Sequence, residues 1–114
     1  MTVGPSGGIL TSSDGTSWDN RTSGTSTRLI GVTYANSTFV AVGGSGTILT
    51  SSDGTTWTSR TSGLTKTFMR VTYGNSTFVV VGQSGTIMTS SDGINWTSRT
   101  SGTTNNLWFV THKE

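Results

Sequence analysis

Short runs of β-branched and aromatic residues alternate along the chain with clusters of Gly, Ser, Asn and Asp. One unit shows the pattern well. Residues 29–34, 38–42, 47–51 and 56–60 are runs of five or six. Between them lie Ala35-Asn36-Ser37, then Gly43-Gly44-Ser45-Gly46, then Asp53-Gly54, and a longer loop starts at Thr61. Runs of this length between such residues predict strands joined by hairpin turns. No stretch places apolar residues at a 3.6 period, so almost no helix is expected.

The pattern repeats. Ser-Ser-Asp-Gly stands at 12–15, 51–54 and 90–93, so Asp14, Asp53 and Asp92 are separated by 39 residues each time. The same spacing relates Trp18, Trp57 and Trp96, and also Arg21, Arg60 and Arg99. A four-strand unit of about 40 residues is the size of a β-propeller blade. An all-β solenoid is the alternative, but its coils are usually shorter and do not need these hairpin turns. The expected fold is therefore all-β, a propeller fragment of about three four-stranded blades with a 39-residue repeat.

The segments 12–18, 51–57 and 90–96, each Ser-Ser-Asp-Gly-x-x-Trp, resemble the Asp-box, or BNR repeat, of sialidase-like and photosystem-assembly-factor-like propellers. That motif reads Ser-x-Asp-x-Gly-x-x-Trp, so here Gly follows Asp one residue early and the turn is expected to be tighter. The resemblance implies a propeller and a structural role for the box, marking the connection between third and fourth strands. It does not imply an activity. On their own chemistry, Asp14, Asp53 and Asp92 can accept hydrogen bonds from backbone N–H groups of their turns. Trp18, Trp57 and Trp96 can supply a large apolar face between neighbouring blades. Read as acids or metal ligands, the aspartates would be spread around a ring, too far apart to share a proton.

Aligning the units divides the chain into a partial blade at 1–24 (strands two to four), blades at 25–63 and 64–102, and a first strand at 103–114. Three blades do not close, since propellers typically have four to eight. The expectation is that the last strand, with Leu107, Trp108, Phe109 and Val110, completes a blade of a neighbouring chain. Left unpaired, it would be an apolar edge prone to aggregation. The expected partner is therefore the chain itself, through head-to-tail interfaces that close. A homodimer gives six blades, and a homotrimer gives nine.

Comparing the units with one another locates variation in the loop between fourth and first strands and at two registers of the first strand. Gly31, Arg70 and Phe109 share one register, and Ile30, Met69 and Trp108 the other. In a propeller the first strand lines the central channel. Ligand-binding candidates are therefore Arg28, Lys66, Arg70, Asn105, Asn106 and Trp108. The competing explanation is drift in tolerant loops, with Trp108 filling the channel-side layer as Ile30 and Met69 would. Arg21, Arg60 and Arg99 fit stacking on the repeat tryptophans or holding a blade edge better than ligand contact. His112, standing where Tyr34 and Tyr73 stand, reads as a tolerated substitution.

Composition narrows the function classes. Charged residues make up 11% of the chain, against roughly 25% in typical soluble proteins. The recurring aromatics (four Trp, four Phe, two Tyr) argue against a disordered linker. A net charge of +2 without a basic run does not point to nucleic acid. The absence of Cys excludes disulfides and thiolate metal sites. No apolar run approaches the roughly 20 residues of a membrane-spanning helix, and the first eight residues do not read as a signal peptide. No cofactor or metal is expected. Neither is an enzyme. The five acidic residues are mostly in turns or at the chain end, and no nucleophile–His–acid set can be assembled. The expected function is a non-enzymatic, self-assembling propeller, lectin-like, with Trp, Asn and Thr suited to sugars. The alternatives are a recently amplified, reconstructed or designed propeller with no selected ligand, or a scaffold for a protein partner.

Overall fold

The structure is a computed structural model that describes residues 1–12 and 15–107. These residues form eleven strands in three antiparallel sheets. The first sheet has three strands, β1 (Thr2–Gly4), β2 (Gly8–Thr11) and β3 (Asp19–Arg21), in that order. The second has β4 (Leu29–Ala35), β5 (Thr38–Gly43), β6 (Ile48–Ser51) and β7 (Thr58–Arg60). The third repeats it with β8 (Phe68–Gly74), β9 (Thr77–Gly82), β10 (Ile87–Ser90) and β11 (Thr97–Arg99). Every strand pairs with its sequence neighbour, so each sheet is a meander.

The strands fall where the repeat places them, with shifts of one or two residues at their ends. First strands run one residue further, to Ala35 and Gly74. Fourth strands start later, at Asp19, Thr58 and Thr97. The Asp-Gly connection is therefore six residues long in the second sheet, 52–57, and wider than the tight turn expected. The reason is visible in its bonding: the Asp and Ser side chains bind successive N–H groups of the connection, which need not bond across a ladder. The last expected strand, 107–112, lies outside the described residues apart from Leu107, whose N–H donates to Gly82 O at 2.9 Å.

Two connections rely on left-handed backbone. Asn36 and Ser37, with Asn75 and Ser76, have φ of 51° to 58°, as two-residue hairpin turns with right-handed strand twist require. Between second and third strands, Gly44–Gly46 makes a single 3₁₀ turn. Gly46 there has φ +70°, and a Cβ on it would collide with Leu64 O. This close approach lets Ser62 Oγ donate to Gly46 O at 2.8 Å, tying the turn to the loop after β7.

The sheets pack face to face, and the core lies at their two junctions. Ile9 of the first sheet meets Leu29, Ala41 and Leu49 of the second, with Trp57 against them. Val40, Val42 and Ile48, on the other face of the second sheet, meet Phe68, Phe78, Val80 and Met88 of the third, with Trp96 against them. Period-two alternation thus sends β5 and β6 residues alternately to one neighbour and the other. The innermost strands also come close. A Cβ at Gly31 in β4 would stand 3.2 Å from Arg70 Cα in β8.

Candidate functional site

The sequence candidates distribute over one end of the sheets. Strand register puts Arg28, the Gly44–Gly46 turn and the loop after β7 at the end where β4 begins. The Asp-Gly connections lie at the opposite end. Of the six candidates, Arg28 and Arg70 share an open depression of about 720 Å³, lined also by Ile30, Met69, Thr67 and Gln83. Ile30 and Met69 arrive there for a local reason. The β4–β5 register steps from Leu29–Gly43 to Gly31–Val42, and the β8–β9 register does the same from Phe68 to Arg70. The extra residue in each case is Ile30 or Met69, and such a bulge re-aims a side chain.

Lys66 and Asn105 line a separate depression of about 710 Å³ beside β11. Asn106 accepts the Ser84 N–H on Oδ1 at 3.0 Å, a bond that anchors its loop to the third sheet's 3₁₀ turn. Trp108 lies outside the described residues. Among the described residues no acidic side chain lines either depression.

The box residues form a repeated hydrogen-bonded unit. In the second sheet, Ser51 Oγ accepts from Asp53 N at 3.2 Å and Gly54 N at 2.7 Å, and donates to Asp53 Oδ1 at 3.0 Å. Asp53 Oδ1 also accepts from Thr55 N at 2.8 Å and Thr56 N at 2.9 Å. Trp57 Nε1 closes the unit on Gly54 O at 3.0 Å. The third sheet repeats every bond with Ser90, Asp92, Gly93, Ile94, Asn95 and Trp96. The backbone N–H groups of Thr56 and Thr55, with the Ser51 hydroxyl, hold the Asp53 carboxyl below the usual carboxylate range. Those of Asn95 and Ile94, with Ser90, lower Asp92 to about 2. Both carboxylates serve their own turns. Asp14 lies outside the described residues.

The repeat arginines are edge clamps. Arg21, Arg60 and Arg99 each donate Nε–H to Thr11, Thr50 or Thr89 Oγ1 on the neighbouring strand, at 2.8, 2.8 and 2.9 Å. Each guanidinium therefore runs back along the outer strand toward the Asp-Gly end.

One feature escaped the sequence: at both junctions, the clamp arginine of one sheet and the box aspartate of the next line a common cleft. Thr11, Ser12, Arg21 and Asp53 line the first, of about 470 Å³. Thr50, Ser51, Arg60 and Asp92 line the second, of about 250 Å³. These are equivalent positions, 39 residues apart. The available signal was the constant ten-residue Thr-to-Arg spacing in every unit, but pairing Arg60 with Asp92 requires knowing how sheets stack.

No protein-family model, curated protein or solved structure matches the chain. Among the described residues the chain is all-β, with three stacked antiparallel sheets.

Proposed function

We propose that the chain is a non-enzymatic propeller module that assembles head to tail with copies of itself, forming a ring that presents glycan-binding sites. A homodimer of six blades is the favoured form, inside the common range for propellers. The observation that carries this reading is a mismatch in burial between equivalent positions. Leu49 and Met88 are 2% and 1% exposed, whereas Leu10, at the same position of the first sheet, is 36% exposed. Trp18 is 46% exposed, whereas Trp57 and Trp96 pack on junction cores.

The complement of that face is on the third sheet. Ile87 is half-buried where Ile9 and Ile48 are fully buried, and Val79 is half-buried where Val40 is fully buried. The two unfilled faces are thus the two halves of one junction already made twice within the chain. A second copy offers each face the partner it is shaped for, with no new chemistry. Such a heterologous contact either closes into a ring or propagates as a filament. A ring would multiply weak ligand sites into avidity. Arg28 and Arg70 are its ligand candidates beside the first strands, and Lys66, Asn105, Asn106 and Trp108 are its further candidates.

Native mass spectrometry at micromolar concentration tests the assembly. A dimer is expected, a trimer replaces six blades with nine, and a monomer overturns self-assembly.

A further inference from the structure

The two junction clefts point to a ligand site that recurs with the repeat. We infer that each cleft between adjacent sheets binds one neutral pyranose through vicinal hydroxyls, with the clamp arginine on one wall and the box aspartate on the other. This deepens the glycan reading above and rests on it, but places the contact at the sheet junctions, apart from the candidates named above. It does not depend on ring closure, since both clefts lie within one chain.

Three observations support it. The first is recurrence: five equivalent positions line both clefts, four of them with the same residue, although the sheets around them differ in strand number. The second is chemistry. In the second cleft, Thr56 and Thr58 bring exposed hydroxyls that both donate and accept, Arg60 brings the amino N–H groups of its fork, and Asp92 brings Oδ2, which accepts one bond from Asn95 Nδ2 at 3.2 Å and keeps a lone pair; Thr50 and Ser51 are buried and bonded within their own sheet. A sugar's adjacent hydroxyls, each donor and acceptor, match this mixture better than a simple anion or cation would. Arg60 uses Nε on Thr50, which holds its planar group in a fixed orientation for the remaining N–H groups. Hydrogen bonds within the turn keep Asp92 ionised, so the acceptor is present throughout the neutral range. The third is size. The clefts, of about 470 and 250 Å³, lie near the lower end of the roughly 300–1,000 Å³ of drug-sized sites, which gives each room for one sugar ring.

The clefts differ at one informative position. Asp19 in the first cleft corresponds to Thr58 in the second. Asp19 Oδ2 lies 3.7 Å from an Arg21 amino nitrogen, an ion pair that competes for the donor fork. Among the described residues Arg60 has no equivalent ion pair. The second cleft is therefore the stronger site, and exchanging the two residues should exchange the behaviour. Thr58 is exposed on the outermost strand, so its replacement leaves the core intact.

The test is amide chemical-shift titration of the full chain with glucose, galactose, mannose and N-acetylglucosamine at millimolar concentrations. At least one sugar is expected to shift Thr50, Thr58, Arg60 and Ile94. Thr58→Asp should weaken that binding about tenfold, the equivalent of one charge-assisted hydrogen bond. Asp19→Thr should tighten the weaker binding seen through Thr11, Arg21 and Asp53 to about that of the second cleft, a gain that misfolding cannot produce. Shifts confined to Arg28, Met69 and Arg70 would overturn the junction site and leave the glycan reading standing. No shift with any of the four would overturn both. Titration with N-acetylneuraminic acid and with calcium chloride separates the remaining classes. A response at the cleft to either alone would replace the neutral sugar by an anion or a cation.

Discussion

Leu10 and Leu49 are the same residue at the same position of the same repeat, yet one is over a third exposed and the other is sealed. The difference is in what lies across from them. Leu49 faces Ile9 and Leu29 at a finished junction, whereas among the described residues no sheet covers Leu10. Identical sequence thus carries different energy according to its neighbour. The repeat specifies a two-sided slab, and the burial of either side is decided by the next slab.

The largest expected effect tests that difference directly. Leu49→Ala should cost about 2–5 kcal/mol in chemical denaturation, the usual range for emptying a buried leucine site. Leu10→Ala should cost little in dilute, dissociated protein and approach the Leu49→Ala value at concentrations where the oligomer forms. Equal, small effects of Leu10→Ala at all concentrations would break the comparison, because the exposed face would then have no partner.

A middle-sized effect concerns acid. Asp53 and Asp92 have carboxyls lowered in the folded chain, Asp92 to about 2, against about 3.9 in an unfolded chain. A depressed folded value stabilises above the unfolded value and is lost as pH falls through the folded one. Urea midpoints should therefore fall between about pH 4 and about pH 2. In an Asp53→Asn, Asp92→Asn double variant that fall should shrink. An undiminished fall would show that the box carboxylates are not the groups responsible.

The smallest effect sharpens the comparison by avoiding the junctions. Ser37 and Ser76 hold positive φ at exposed hairpin tips, where glycine is favoured. Ser37→Gly and Ser76→Gly should each gain about 0.5–1 kcal/mol in denaturant melts. The two gains should be equal, since the tips are equivalent and both serines are exposed. Unequal gains would mean that position along the chain matters even away from the junctions.

Much of the fold was legible because the repeat offers three independent readings of each strand. Val40 and Val79, or Phe39 and Phe78, mark one strand in two contexts, and Asn36-Ser37 marks its turn. Stacking was less legible. Nothing in the identity of Leu10 distinguishes it from Leu49, because exposure belongs to the pair of sheets and not to the residue. Ile30 and Met69 were recognised as a variable register, but the bulge that turns them into the depression depends on pairing with β5 and β9. The junction clefts were invisible for a related reason. Arg60 and Asp92 are 32 positions apart and belong to different sheets, so no local pattern joins them.

Face-to-face stacking also makes the molecule a one-dimensional lattice, in which the apolar core among the described residues lies between neighbouring sheets. Stability in such arrays is approximately a sum of intrinsic and nearest-neighbour terms, and it is the second kind that holds the apolar core here. One chain contains two such couplings. In the proposed dimer, two separate chains hold four, and joining them adds two more without adding a residue. A linear array of sheets always has one fewer coupling than sheets, whereas a cyclic one has as many of each. Closing the lattice therefore removes the frayed end as a category, and no sheet remains from which unzipping can start at the cost of a single contact.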